Sequence, residues 1–163
     1  MHDAERLFTD HAPALYRYLV RLTGDVDLAA DCVQETFVRL LERAGRGEFQ
    51  RAWLFTVGTN LALQSRRTAA RRARLLDADD HRAPVADGAA TPLEEAEARE
   101  RHELAVRALA TLSEKERSAV LMREEGFSHR EIAEAVGTTT GSVGTLIARA
   151  LLKFAEAARE VES

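Results

Sequence analysis

No internal disulfide is open to this chain, because Cys32 is its single cysteine among 163 residues. That points to a reducing compartment. Three prolines and nine glycines exclude collagen-like or proline-rich character. Two Tyr, six Phe and one Trp are few for a β-sandwich. The longest unbroken apolar stretches, such as Ala119 to Met122, run to about four residues, far short of the ~20 that span a bilayer. No basic-then-apolar opening looks like a signal peptide. A cytosolic protein without membrane insertion is expected. Lysine is also scarce, with only Lys115 and Lys153, so arginine carries nearly all the positive charge.

What is present suits a soluble helical protein. Hydrophobic residues make up 45% and charged residues 31%, too apolar a mix for a disordered chain. Frequent Ala, Leu, Arg and Glu favour helices. The net charge of −4 argues against nucleic acid only until it is divided along the chain. Residues 1–76 hold 12 basic and 9 acidic side chains, residues 77–103 hold 3 and 9, and residues 104–163 hold 8 and 9. Arg66, Arg67, Arg71, Arg72 and Arg74 cluster with no acid between them. The positive charge is therefore local, and the acids concentrate elsewhere.

A helical reading is available almost everywhere except Asp77 to Pro92, where two prolines, a glycine and four aspartates interrupt any apolar period. This stretch reads as a flexible linker. The fold class expected is all-α: two small helical domains, residues 1–76 and 93–163, joined by the 77–92 linker. Each domain is near the lower limit for a self-sufficient core. The first domain reads as helices over about Asp3–Leu22, over a second stretch opened by Asp25 as N-cap and reaching Ala44, and over Ala52–Leu75. The second reads as a helix over Leu93–Leu109, then one opened by the capping box Ser113–Glu116. Another opens at the capping box Ser128–Glu131, Gly137 takes the turn, and a last helix covers Thr139–Ala158. The last two helices form a helix-turn-helix whose later helix is the reader.

Three surfaces carry chemistry. On the second helix Ala29, Val33, Thr36, Phe37, Leu40 and Ala44 form the core side. The opposite side holds Asp27, Asp31, Gln34, Glu35 and Glu42 around Val38. It is either a solvated acidic face or a partner surface centred on an apolar residue. The third helix buries Trp53, Leu54, Val57 and Leu61. One outer stripe holds Thr56, Asn60, Leu63 and Arg67, and another Phe55, Thr59, Ala62 and Arg66. An Arg-rich helix with an aromatic beside it suits a nucleic-acid backbone and stacked bases, and Asn suits an adenine edge. On the last helix Val143, Ile147, Ala150, Leu151 and Phe154 are inward, while Ser142, Thr145, Arg149 and Lys153 face out as a major-groove reader would.

Nothing in the sequence supports an enzyme. His2, His11, His81, His102 and His129 lie far apart, without metal-ligand spacing among themselves or with Cys32. There is no Gly-rich phosphate loop after a strand. No catalytic residue, metal or cofactor is expected, and Cys32 reads as a packing residue.

Two groups of motifs resemble a known family. Asp31-Cys-Val-Gln-Glu-Thr-Phe37, then Arg51-Ala-Trp-Leu-Phe55 with Asn60 and the following arginines, are similar to region 2 of bacterial extracytoplasmic-function sigma factors. Leu112-Ser-Glu-Lys-Glu-Arg117, Gly126-Phe-Ser-His-Arg-Glu-Ile-Ala133, and Gly141-Ser-Val143 with Arg149-Ala150 are similar to region 4. The resemblance covers nearly the whole chain. It implies that Asp31, Gln34, Glu35 and Val38 dock on the coiled coil of the RNA polymerase β′ subunit. It implies that Trp53, Asn60, Gln64, Arg66, Arg67 and Arg71 capture and help melt the −10 promoter element. Region 4 would sit on the β flap and read the −35 element as duplex, through Arg130, Ser142, Thr145, Arg149 and Lys153. The linker would thread toward the active-site channel, and an anti-sigma factor would mask these surfaces. Gly144 and Leu146 stand where many members carry Lys or Arg. From the residues alone two other readings stay open: a helix-turn-helix regulator that binds DNA as a dimer, and a sigma-like decoy with weak DNA binding.

Overall fold

The computed structural model describes residues 2–43, 50–76 and 91–162. They form seven helices: α1 (His2–Thr23), α2 (Val26–Glu42), α3 (Arg51–Leu76), α4 (Pro92–Ala110), α5 (Glu114–Glu124), α6 (His129–Val136) and α7 (Thr140–Glu162). The described residues contain no strand, so the fold is all-α. Most of the expected linker, residues 77–90, lies outside the described residues, as does the end of the expected second helix at Ala44.

Short-range chemistry sets the helix starts. The Asp25 carboxylate accepts from the Asp27 and Leu28 backbone N–H groups, each at 3.0 Å, and opens α2. Reciprocal capping boxes pair Ser113 with Glu116 and Ser128 with Glu131, each satisfying donors that a helix start otherwise leaves open. The sequence carries a third such box, Thr91 with Glu94. It starts α4 at Pro92, where the missing N–H of proline costs no helical bond. Gly137 closes α6 at φ 72°. That left-handed conformation is cheap only for glycine, and it lets α7 cross α6 as the second helix of the pair.

In the first module, α1, α2 and α3 pack against one another around Leu15, Tyr18, Leu19, Leu22, Leu40, Leu54 and Phe55, all buried. A Cβ on Gly58 would come 3.1 Å from Leu15 Cδ1, so the Leu15 side chain packs closely over this glycine. Tyr18 Oη and Thr59 Oγ1 share a 2.7 Å hydrogen bond inside this core. Burial pushes the Tyr18 hydroxyl up to about 12, so it stays neutral and serves as a hydrogen-bonding group. Cys32 is buried, as a packing residue should be.

The second module builds its core from Ala119, Leu121, Met122, Ile132, Ala133, Val136, Val143 and Ala150. The two modules also pack on each other, α3 against α6 and α1 against α5, so their buried residues merge into one cluster. Several expectations change, and Leu63, read as outward with Thr56, Asn60 and Arg67, is buried at 8% exposure. The stripe of Phe55, Thr59 and Ala62, read from the sequence as outward, is fully buried at 0% exposure. Phe55 lies between Tyr18 and Phe127, with ring centroids 5.2 and 4.8 Å away. The helix is covered on a second side by the other module. Leu151, read as inward, is 50% exposed. With Phe154 it lines a cleft of about 850 Å³ bordered by α1, α4, α5 and α7, so the packing around it is open.

Candidate polymerase and nucleic-acid interfaces

On α2 the core residues Ala29, Cys32, Val33, Thr36 and Leu40 are buried. The other side carries Asp27, Asp31, Gln34, Glu35, Val38 and Glu42, all exposed. The face is more apolar than the sequence pattern indicates, because Leu41 joins Val38 one turn away, at 43% and 46% exposure. Glu35 is held by Arg39, with Nε to Oε1 at 3.0 Å and both side chains near half exposure. Such an i,i+4 pair contributes only about 0.3–0.5 kcal/mol. An apolar pair ringed by carboxylates has the make-up of an interface centre with a polar rim.

On α3, Asn60, Gln64, Arg67 and Arg71 are exposed and fall at steps of four, three and four residues, which is one stripe of a helix. The two other members of the expected set differ. Trp53 is half-buried and has the Arg43 guanidinium 5.9 Å from its ring centroid. Arg66 is half-buried and donates to the Leu22 carbonyl oxygen at 3.1 Å, so it helps close the last turn of α1. The stripe thus carries two polar side chains followed by two cations, a suitable order for base edges beside phosphates. Arg72 and Arg74 are exposed further along.

In the second module Arg130 lies exposed on α6, its Nε 4.0 Å from Glu134. Ser142, Thr145 and Arg149 are exposed on one side of α7, and Ser142 Oγ lies 2.7 Å from Thr139 Oγ1. Gly144 is exposed beside them, so the exposed side of α7 is small, hydroxyl-bearing and uncharged up to Arg149. Lys153 continues the stripe, yet its Nζ donates to Glu116 Oε1 at 2.8 Å.

Glu116 links the capping box at Ser113 to α7. It is 4% exposed. The Lys153 hydrogen bond, and then the Ser113 backbone N–H, hold its carboxyl below the usual carboxylate range. A depressed folded pKa contributes stability above the unfolded value and loses it as pH falls through the folded value. Glu116→Gln should therefore be less stable than the parent at neutral pH, with the difference shrinking as pH drops below about 4.5. Urea titrations at pH 7 and pH 4 would measure it. A gap that stays constant across that range would assign the effect to packing alone.

Among the described residues no group of His, Cys, Asp and Glu could hold a metal ion. No helix there is long and apolar enough to cross a membrane.

Comparison with known proteins matches two stretches of the chain to family models. Sigma-70 region 2 covers residues 7–72, and Sigma-70, region 4 covers residues 102–154. The ECF RNA polymerase sigma factor SigL of Mycobacterium tuberculosis is 38% identical over 143 residues, covering 84% of this chain and 78% of that protein. The RNA polymerase sigma factor CarQ of Myxococcus xanthus is 32% identical over 162 residues, covering 97% and 90%. Among solved structures, the sigma factor RpoE in complex with the anti-sigma factor NepR from Bartonella quintana superposes with a TM-score of 0.78 over 98% of both chains, at 23% identity. That last likeness is one of fold.

Proposed function

The chain belongs to the extracytoplasmic-function RNA polymerase sigma factors, and we propose how its surfaces divide the work of that family. A sigma factor joins core RNA polymerase and directs it to promoter DNA for initiation, while the polymerase performs the catalysis. The region 2 match spans α2 and nearly all of α3, which disfavours a dimeric helix-turn-helix regulator.

In this reading, Asp31, Gln34, Glu35 and Val38 on α2, joined by Leu41, dock on the β′ coiled coil. Asn60, Gln64, Arg67 and Arg71 on α3 take the −10 element, with Trp53 and Arg66 shaping the helix that presents them. Arg130, Ser142, Thr145, Arg149 and Lys153 meet the −35 duplex, and the second module rests on the β flap. An anti-sigma factor is the proposed inhibitor. The observation that carries this division is the separation of the faces. The acidic-apolar surface of α2 and the polar-cationic stripe of α3 are both exposed, on different helices of one module.

Glu35→Arg tests the docking face. It removes one weak helix pair and places positive charge within the ring of carboxylates around Val38. Loss of a buried charge contact in an interface costs about 2–5 kcal/mol. The expected result is at least a tenfold fall in co-purification with core polymerase, with helical content by circular dichroism unchanged. Parental recovery of polymerase by the variant would remove α2 from the docking surface.

A further inference from the structure

The residues assigned above to the −35 duplex are partly committed inside the chain. Arg130 Nε lies 4.0 Å from Glu134, Ser142 Oγ 2.7 Å from Thr139 Oγ1, and Lys153 Nζ 2.8 Å from Glu116 Oε1. His129 stands beside them without such a commitment. It is the first residue of α6, directly after the Ser128 cap, and it is exposed. Among the described residues its side chain makes no hydrogen bond or ion pair. The acids of its own helix have other partners, Glu131 in the capping box and Glu134 at Arg130.

A glycine on α7 marks where the imidazole lies. A Cβ on Gly144 would come 3.7 Å from His129 Cε1, an ordinary van der Waals distance, whereas one on Gly141 would meet nothing within 4 Å. The ring thus rests over position 144, where α6 and α7 meet. Gly144 has no left-handed φ, and a methyl group would fit there. Neither backbone geometry nor close packing therefore calls for glycine, which is a poor helix former. What glycine spares is a long side chain at 144, which would compete with the imidazole for the same exposed space. Gly141, Ser142, Thr145 and Ala148, the exposed residues around it, are all small. They leave the ring open to a partner that approaches α7.

We propose that His129 reads a base of the −35 element, standing in for a side chain at position 144. The inference rests on the assignment of α7 to the −35 duplex, and deepens it by naming a further specificity-determining residue and the class of base it selects. An imidazole, neutral or charged, carries at least one N–H donor. In the major groove N7 is the acceptor that adenine and guanine share. His129 therefore selects a purine at one position by donating to N7. In most helix-turn-helix proteins the first helix crosses the DNA backbone and the second contacts the bases. Here the missing side chain on the second helix lets the first supply one base contact.

The test uses holoenzyme, reconstituted from core polymerase and the full chain, on a promoter library randomised across both elements, with the bound sequences counted. The parent should favour purines at one −35 position. His129→Ala should lose that preference, by about tenfold, and keep the others. A 7-deazapurine at that position, with C–H in place of N7, should weaken the parent by the same factor and leave His129→Ala unaffected. Gly144→Ala should keep the preference, since its methyl group fits against the ring. Gly144→Arg should abolish it, and His129→Ala added to Gly144→Arg should cost nothing further, because the two side chains share one place. Circular dichroism should show parental helical content throughout. An equal loss on every −35 sequence would reduce His129 to a backbone contact and overturn the proposal. So would a parent indifferent to the 7-deazapurine, or full additivity of His129→Ala with Gly144→Arg. Failure of the α7 assignment looks different: Arg149→Ala would then leave −35 binding unchanged as well.

Discussion

Arg67→Ala with Arg71→Ala should leave polymerase docking intact and sharply lower open-complex formation on a duplex promoter, with Asn60→Ala giving a second, different defect. Arg67 and Arg71 are exposed on the same side of α3 as Asn60 and Gln64. Arg66 is left in place because its bond to the Leu22 carbonyl gives it a structural role that would confuse the result. Two lost phosphate contacts on a single strand should reduce the salt slope by about 1.4 units, at ~0.7 for each. Unstacking a base costs a few kcal/mol, offset only by contacts to the exposed base or its backbone. A template with a pre-melted −10 bubble removes the opening cost, so it should rescue much of the arginine defect. If Asn60 reads a base edge, its loss costs about 1–3 kcal/mol on both templates, and the bubble rescues less. Permanganate reactivity of the −10 thymines measures the two cases. Parental reactivity in the duplex with all three side chains removed would mean that another surface opens DNA.

The parts of this molecule legible in its sequence are those set by short-range chemistry. Asp25, Ser113, Ser128 and Gly137 begin or end helices through contacts within a few residues, and they do so as their patterns predict. Thr91–Glu94 obeys the same rule, but the neighbouring run of prolines and aspartates draws the linker boundary past it. The acidic face of α2 was legible because that helix is covered on one side only. On α3 the pattern fails where the helix is covered twice. Thr59 looks outward because it is polar, yet Tyr18 satisfies it inside the core. Gly58 resembles a helix defect, yet the Leu15 side chain packs closely over it. The Arg51–Glu125 contact joins residues 74 positions apart, and no periodicity within either helix announces it. Family resemblance supplied the functional assignment of faces that pattern alone left open between solvent and partner.

Phe55 separates a stacking role from a packing role with a large expected effect. The sequence places it beside the arginines as an aromatic available to bases, whereas the fold gives it 0% exposure. Its ring lies 5.2 Å from Tyr18 in its own module and 4.8 Å from Phe127 in the other. Removing a buried Phe side chain costs about 3–5 kcal/mol, the transfer energy of the lost atoms plus the cavity left behind. For a chain of this size each kcal/mol lowers Tm by about 2–4 °C, so Phe55→Ala should lose roughly 6–20 °C. Phe55→Leu keeps more of the volume and should lose less. Phe127→Ala removes the cross-module ring pair but spares Tyr18, so the difference between the two alanine variants reports the contact inside the first module. Thermal unfolding by circular dichroism gives these values. Promoter melting by Phe55→Leu, normalised to folded protein well below its Tm, should match the parent. An unchanged Tm in Phe55→Ala together with lost promoter melting would return this ring to the DNA surface and show that the modules part before Phe55 does its work.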